Sequence, residues 1–88
     1  MADTVLIIDA DVNSRTVLAR SLRSAAIQAE TASSGEEALE RLWRVKYDLV
    51  VLEIDLPGID GYHVLQDLRR RGVKTPVVIC SAHGEDYE

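Results

Sequence analysis

Three stretches of this 88-residue chain run from aliphatic residues straight into groups that can do chemistry. Thr4-Val5-Leu6-Ile7-Ile8 leads to Asp9 and Asp11, Leu49-Val50-Val51-Leu52 leads to Glu53 and Asp55, and Val77-Val78-Ile79-Cys80 leads to Ser81. Carboxylates gathered from neighbouring strand ends would form a site for a hard divalent cation, magnesium above all, because such ions take oxygen ligands. Asp9, Glu53 and Asp55 are the candidate ligands, and Asp9 and Asp11 would line an acidic pocket. A hydroxyl such as that of Ser81 could contact a phosphoryl oxygen, so the set points to phosphoryl chemistry rather than hydrolysis. Each group also has a plainer role open to it: Asp9 as a solvated strand-end acid, Asp11 as a helix cap, Ser81 as a strand-end residue. His63 and His83 have no second ligand at metal-binding spacing and read as surface residues.

For these groups to meet, the strands that carry them must lie side by side, and the pattern between them predicts that they do. Continuous aliphatic runs read as strands buried on both faces, the mark of a parallel sheet. Asp11 or Asn13 caps a helix with Leu18, Ala19, Leu22, Ala25 and Ala26 inward. Ile27 to Thr31 is a weak edge strand, with Ile27, Ala29 and Thr31 alternating against polar residues. Ser34 and Glu37 form a capping box that opens a helix with Ala38, Leu39, Leu42 and Val45 inward. Pro57-Gly58 marks a loop, and Asp60 caps a third helix with Val64, Leu65 and Leu68 inward. Arg69 to Arg71 occupy its last turn and Gly72 stands just past its end. Val77 to Cys80 reads as a further buried strand, Cys80 as a small core residue, and Trp43 and Tyr47 as cover for the lower edge of the sheet. The order βαβαβαβ predicts a single α/β domain over residues 1–88, a doubly wound parallel sheet with right-handed crossovers. Ligands of such sheets gather at the carboxyl ends of the strands, where the acids are.

Composition narrows the function. Fifteen acids against ten bases give a net charge of −5, so the chain has no electrostatic reason to seek nucleic acid or an anionic membrane. The Arg69-Arg70-Arg71 run reads as a solvated helix end. No apolar run approaches the roughly 20 residues that span a bilayer. Asp3 stands where a signal peptide needs positive charge, and the single Cys80 cannot form an internal disulfide. The expected location is the cytoplasm. A nucleotide-binding role is disfavoured, because Asp9-Ala10-Asp11 follows the first strand where a glycine-rich loop or P-loop would be needed.

Val5-Leu6-Ile7-Ile8-Asp9-Ala10-Asp11, Asp48 through Gly61, and Pro76 through His83 together resemble the three signature segments of the response-regulator receiver family, in order and at the family's spacing. The resemblance covers the whole chain. It implies a flavodoxin-like fold, a bacterial two-component or phosphorelay pathway, and a histidine kinase or phosphotransfer protein as partner. In that family the acid four residues before the proline accepts phosphate. Here that place holds Glu53 where the family has aspartate. The family's first strand ends in two consecutive acids, the second of them a magnesium ligand; here the pair is Asp9-Ala10. Asp55 matches the place whose backbone carbonyl completes the metal site, and Ser81 matches the switch hydroxyl. The family's lysine and switch aromatic, on or near a fifth strand, have no counterpart in these residues.

These departures imply a non-enzymatic signalling module that works by protein contact, with magnesium binding weakened by Ala10. Glutamate is one methylene longer than aspartate, so its carboxylate would sit ~1.5 Å further out, near the place of a phosphoryl group, but with one charge where phosphate brings nearly two. Natural loss of the acceptor and an engineered Asp-to-Glu mimic of the active state are both compatible with the residues. A conventional receiver that takes phosphate at Glu53 or Asp55 with magnesium is the alternative. Relative to the family the fold is expected to be incomplete, with the final strand and helices missing. That would leave Val77–Cys80 at an exposed sheet edge and favour homo-oligomers.

Overall fold

The computed structural model describes residues 3–80. Among them the order is β1 (Thr4–Ile8), α1 (Val12–Ser24), β2 (Gln28–Ala32), α2 (Gly35–Arg44), β3 (Leu49–Glu53), α3 (Gly61–Arg70) and β4 (Val77–Cys80). All strand pairings are parallel and the sheet order is β2-β1-β3-β4. The chain thus leaves β1 for one side of the sheet and returns to the other, and the order reverses between β1 and β3. That switch point opens a crevice at the carboxyl ends of these two strands.

The aliphatic runs do what their lack of alternation implies, since each fills both faces of the sheet. Leu6 and Ile8 join Val50, Leu52, Val64 and Leu68 in the core beneath α2 and α3. Val5 and Ile7 face the other way, onto Ala19 and Ala29, with Leu18 and Leu22 of α1 packed against them. The doubly wound arrangement expected from the sequence is therefore present, with one helix on one face and two on the other.

Caps hold the helices where they are needed. The Ser34 hydroxyl accepts the Glu37 N–H at 3.1 Å. The returning Glu37 carboxylate passes over Ser34 and accepts from the N–H and hydroxyl of Ser33, at 2.9 and 3.0 Å. Asp60 caps α3 by accepting the His63 N–H at 3.0 Å, and Gly72 takes a left-handed φ of 79° after that helix.

Several expectations are corrected. β2 begins one residue later than expected and buries Ala29 and Ala32, while Thr31 is only half-buried. Ala25 and Ala26 are exposed because α1 has already ended there; Ala25 is its C-cap and Ala26 turns with φ 64°. Val45 is exposed for the same reason, as the C-cap of α2. Tyr47 is buried, but Trp43 stays 37% exposed, with the Arg71 guanidinium 4.2 Å above its ring. β4 is not a buried strand: Val78 and Ile79 are 49% and 41% exposed, and Cys80 is exposed rather than part of the core.

Candidate functional site

β1 and β3 pair with Ile8 opposite Leu52, so the next residues, Asp9 and Glu53, emerge on adjacent strand ends. Glu53 in turn pairs with Cys80 of β4. The three side chains share one neighbourhood: burial pushes the Cys80 thiol pKa up, and the charges of Glu53 and Asp9 push it further the same way. Among the described residues Glu53 is the only charged residue that is buried, at 7% exposure. Its Oε2 accepts the Asp55 N–H at 3.2 Å, a bond that turns the carboxylate back over the start of the β3–α3 loop.

The other expected members are placed as follows. Asp9 Oδ1 accepts the Asp11 N–H at 2.9 Å and so shapes the β1–α1 turn. Asp11 is exposed and caps α1, accepting from the Ser14 N–H at 3.0 Å and the Ser14 hydroxyl at 2.7 Å. That hydroxyl holds the Asp11 carboxyl below its usual pKa, with the Ser14 N–H adding to the effect. Ala10 puts an exposed methyl between these two acids. Asp55 lies in the loop beyond the strand and is exposed. Ser81 and His83 fall outside the described residues.

Two features were not read from the sequence. The Arg15 guanidinium folds back along α1 to donate to the carbonyls of Asp9, at 2.9 Å, and Ala10, at 3.4 Å. It brings a fixed positive charge to the turn that carries the acids. The only sequence signal for it is a position one helical turn beyond Asp11. The second is Gly61, whose N–H donates to the Ile54 carbonyl at 3.0 Å. A Cβ there would stand 2.7 Å from the Glu53 carbonyl oxygen, so α3 can approach the end of β3 only because this residue is glycine. Among the described residues, no group of three His, Cys, Asp or Glu side chains is arranged to hold a metal ion.

The parallel four-stranded sheet, the helices on both its faces and the acids at its switch point define a flavodoxin-like α/β module. Residues 5–88 match the model of the response regulator receiver domain, and the chain belongs to that family. It is 36% identical over 85 residues to the transcriptional regulatory protein AfsQ1 of Streptomyces coelicolor, covering 97% of this chain and 37% of that protein. Over its whole length it is 33% identical to the alkaline phosphatase synthesis transcriptional regulatory protein PhoP of Bacillus subtilis, again covering 37% of the relative. The chain thus spans little more than a third of these regulators. Among solved structures it is similar to the receiver domain of the Francisella response regulator 1452, with a TM-score of 0.90 and 30% identity over 97% of this chain and 69% of that one. It is also similar to the response regulator TrrA of Thermotoga maritima, solved with magnesium and beryllofluoride, with a TM-score of 0.86 and 32% identity over 91% and 70% of the two chains. This chain is accordingly a receiver module of two-component signalling. No described helix is long and apolar enough to cross a membrane.

Proposed function

We propose that this receiver regulates its partner by protein contact without taking up a phosphoryl group. The observation that carries the reading is the state of Glu53. Its carboxylate stands where the family resemblance places the phosphoacceptor aspartate, is buried at the strand end, and spends one oxygen on the Asp55 N–H. A carboxylate so placed would lie in the volume an entering phosphoryl group needs, and it is held there by the loop that must receive that group.

Metal chemistry is weakened at the same place. Magnesium demands a near-octahedral set of oxygens, and the β1–α1 turn presents the Ala10 methyl beside Asp9. Arg15 already places a cation on the Asp9 and Ala10 carbonyls, which opposes a second cation there. The donor set thus fits magnesium poorly, and no step of the proposed function runs through a metal. The partner is a histidine kinase, a phosphotransfer protein or another signalling protein of the cytoplasm, and the exposed β4 edge favours self-association. What remains of the family's function is recognition, with Glu53 fixing the loop in one state.

The test is a two-dimensional amide spectrum recorded alone and then with magnesium and beryllofluoride, the pair of ligands held by TrrA in its solved structure. The expected spectrum is dispersed and does not move. Shifts centred on Asp9, Glu53 and Ser81 would overturn the proposal and restore a conventional phosphate-driven switch.

A further inference from the structure

Helices α2 and α3 both end in basic residues, Arg41 and Arg44 in one, Arg69 and Arg70 in the other. Cations are favoured at helix C-termini by the macrodipole, and in a parallel α/β layer those ends arrive together at the amino edge of the sheet. Between the α2–β3 and α3–β4 connections this edge contains a cleft of about 730 Å³, at the opposite end of the strands from Asp9 and Glu53. Leu42, Tyr47 and Val73 give it an apolar floor. The charged residues lining it are Arg44, Lys46, Lys74 and Asp48. The one acid is already engaged, since Asp48 Oδ2 accepts the Thr4 N–H at 2.8 Å. Arg71 adds a further cation at the rim by lying over Trp43.

A cationic cleft on a chain of net charge −5 is a local field, and distance preserves it. The acidic edge is a five-residue strand away, roughly 16 Å, whereas charges are screened over ~8 Å at physiological salt. Among the described residues Arg44 pairs with the exposed Glu40, at 3.4 Å, and such a pair exchanges readily for another carboxylate.

We propose that this cleft docks an extended acidic segment of a partner protein, its carboxylates on Arg44, Lys46 and Lys74 and an aliphatic side chain on the floor. Nucleic acid fits less well. Arg71 covers one face of Trp43, which obstructs the stacking platform that single strands use, and the Tyr47 ring in the floor is buried with its hydroxyl already donating to Glu30. The site is separate from Glu53, so it stands whether or not the receiver takes up phosphate.

Trp43 is the only tryptophan in the chain, so its fluorescence reports the cleft directly. The probe is a synthetic glutamate-rich peptide carrying one central leucine. The expected result is a saturable change in Trp43 emission, with amide shifts at Lys46, Val73 and Lys74. Charge reversal by K46E with K74E, both at exposed positions, should weaken binding about tenfold. T16E with V17E and R20E, the same total charge change at exposed positions of α1, should leave it within about twofold, because unscreened reach is short. Equal weakening by both sets would mean undirected charge attraction and overturn the proposal. So would tighter binding of an oligothymidylate of equal charge, or shifts of the cleft amides on dilution without peptide, which would make a second copy of the chain the occupant.

Discussion

At the scale of single residues, the functional question rests on two side chains, Ala10 and Glu53. If uptake of phosphate is lost through both, restoring one should not restore it. E53D alone is expected to stay unlabelled by a small phosphodonor such as acetyl phosphate with magnesium, because position 10 still presents a methyl in place of a carboxylate. A10D with E53D is expected to gain acid-labile phosphate, and labelling of E53D alone would show that Glu53 was the only obstacle. Tyr47 poses a different question. Its ring is buried and its hydroxyl donates to Glu30 Oε1 at 2.6 Å, while Arg41 lies 3.4 Å from the same oxygen. Burial, and then the Glu30 carboxylate, raise its pKa from 10.0 to about 12. The neutral phenol is thus favoured by folding; its contribution is complete below pH 10 and is lost as pH rises through about 12. Y47F should cost about 1 kcal/mol at neutral pH and should flatten the alkaline limb of the stability curve measured by urea unfolding. Sequence placed Tyr47 as cover for the sheet but could not supply its partner, which lies 17 positions earlier and depends on the packing of β2 beside α2. Arg15 is illegible in sequence for a similar reason, because its partners are backbone carbonyls that no side-chain pattern announces.

At the scale of elements, caps and close approaches set the loops that carry the acids. The Glu37 carboxyl is held below its usual value of 4.5, first by the Ser33 N–H. Its contribution to α2 is therefore present above pH 4.5 and lost as pH falls through the lowered value in the folded chain. E37Q should lower stability at pH 7 and make the acid limb of unfolding shallower; an unchanged limb would mean the cap bond is not formed in solution. Gly61 is the stricter constraint. A methyl there meets the Glu53 carbonyl oxygen at 2.7 Å and the Ile54 Cα at 2.9 Å, both backbone and unable to swing aside. G61A should cost about 1–3 kcal/mol by overpacking and shift the amides of Glu53, Ile54 and Asp55, whereas a purely local effect would leave those three in place. The element boundaries show what the sequence could carry. β1 and β3 were readable because both faces are buried, so every residue had to be aliphatic. β2 was blurred because an edge strand with Gln28 and Glu30 meets only part of that demand. The helix ends were overrun because Ala25, Ala26 and Val45 keep the apolar rhythm past the point where the backbone has left the helix. Gly61, beside Pro57-Gly58, carries a loop signal in sequence, and the reason it opens α3 instead lies in the neighbouring strand.

At the scale of the molecule, the two edges of the described sheet are not alike. On β2 the edge is blunted: Glu30 is charged, and the Arg23 guanidinium donates to the Ala29 carbonyl at 2.7 Å, occupying an edge acceptor. On β4, Val78 and Ile79 are apolar and exposed, one on each face of the sheet, with no charge in the strand to discourage pairing. Edge pairing between chains uses the free row of N–H and carbonyl groups and is promoted by flat, apolar strands. Self-association of the 88-residue chain should therefore run through β4 and not β2. Light scattering over a range of concentrations is expected to show dimers or larger species, and I79K should return them to monomer without lowering the thermal midpoint, since that side chain is not core. A lysine at Gln28, on the opposite edge, should leave the association unchanged. A concentration-independent monomer mass would show that the exposed apolar strand is protected without a second chain, and the contact-based function would then have to be sought at the basic cleft instead.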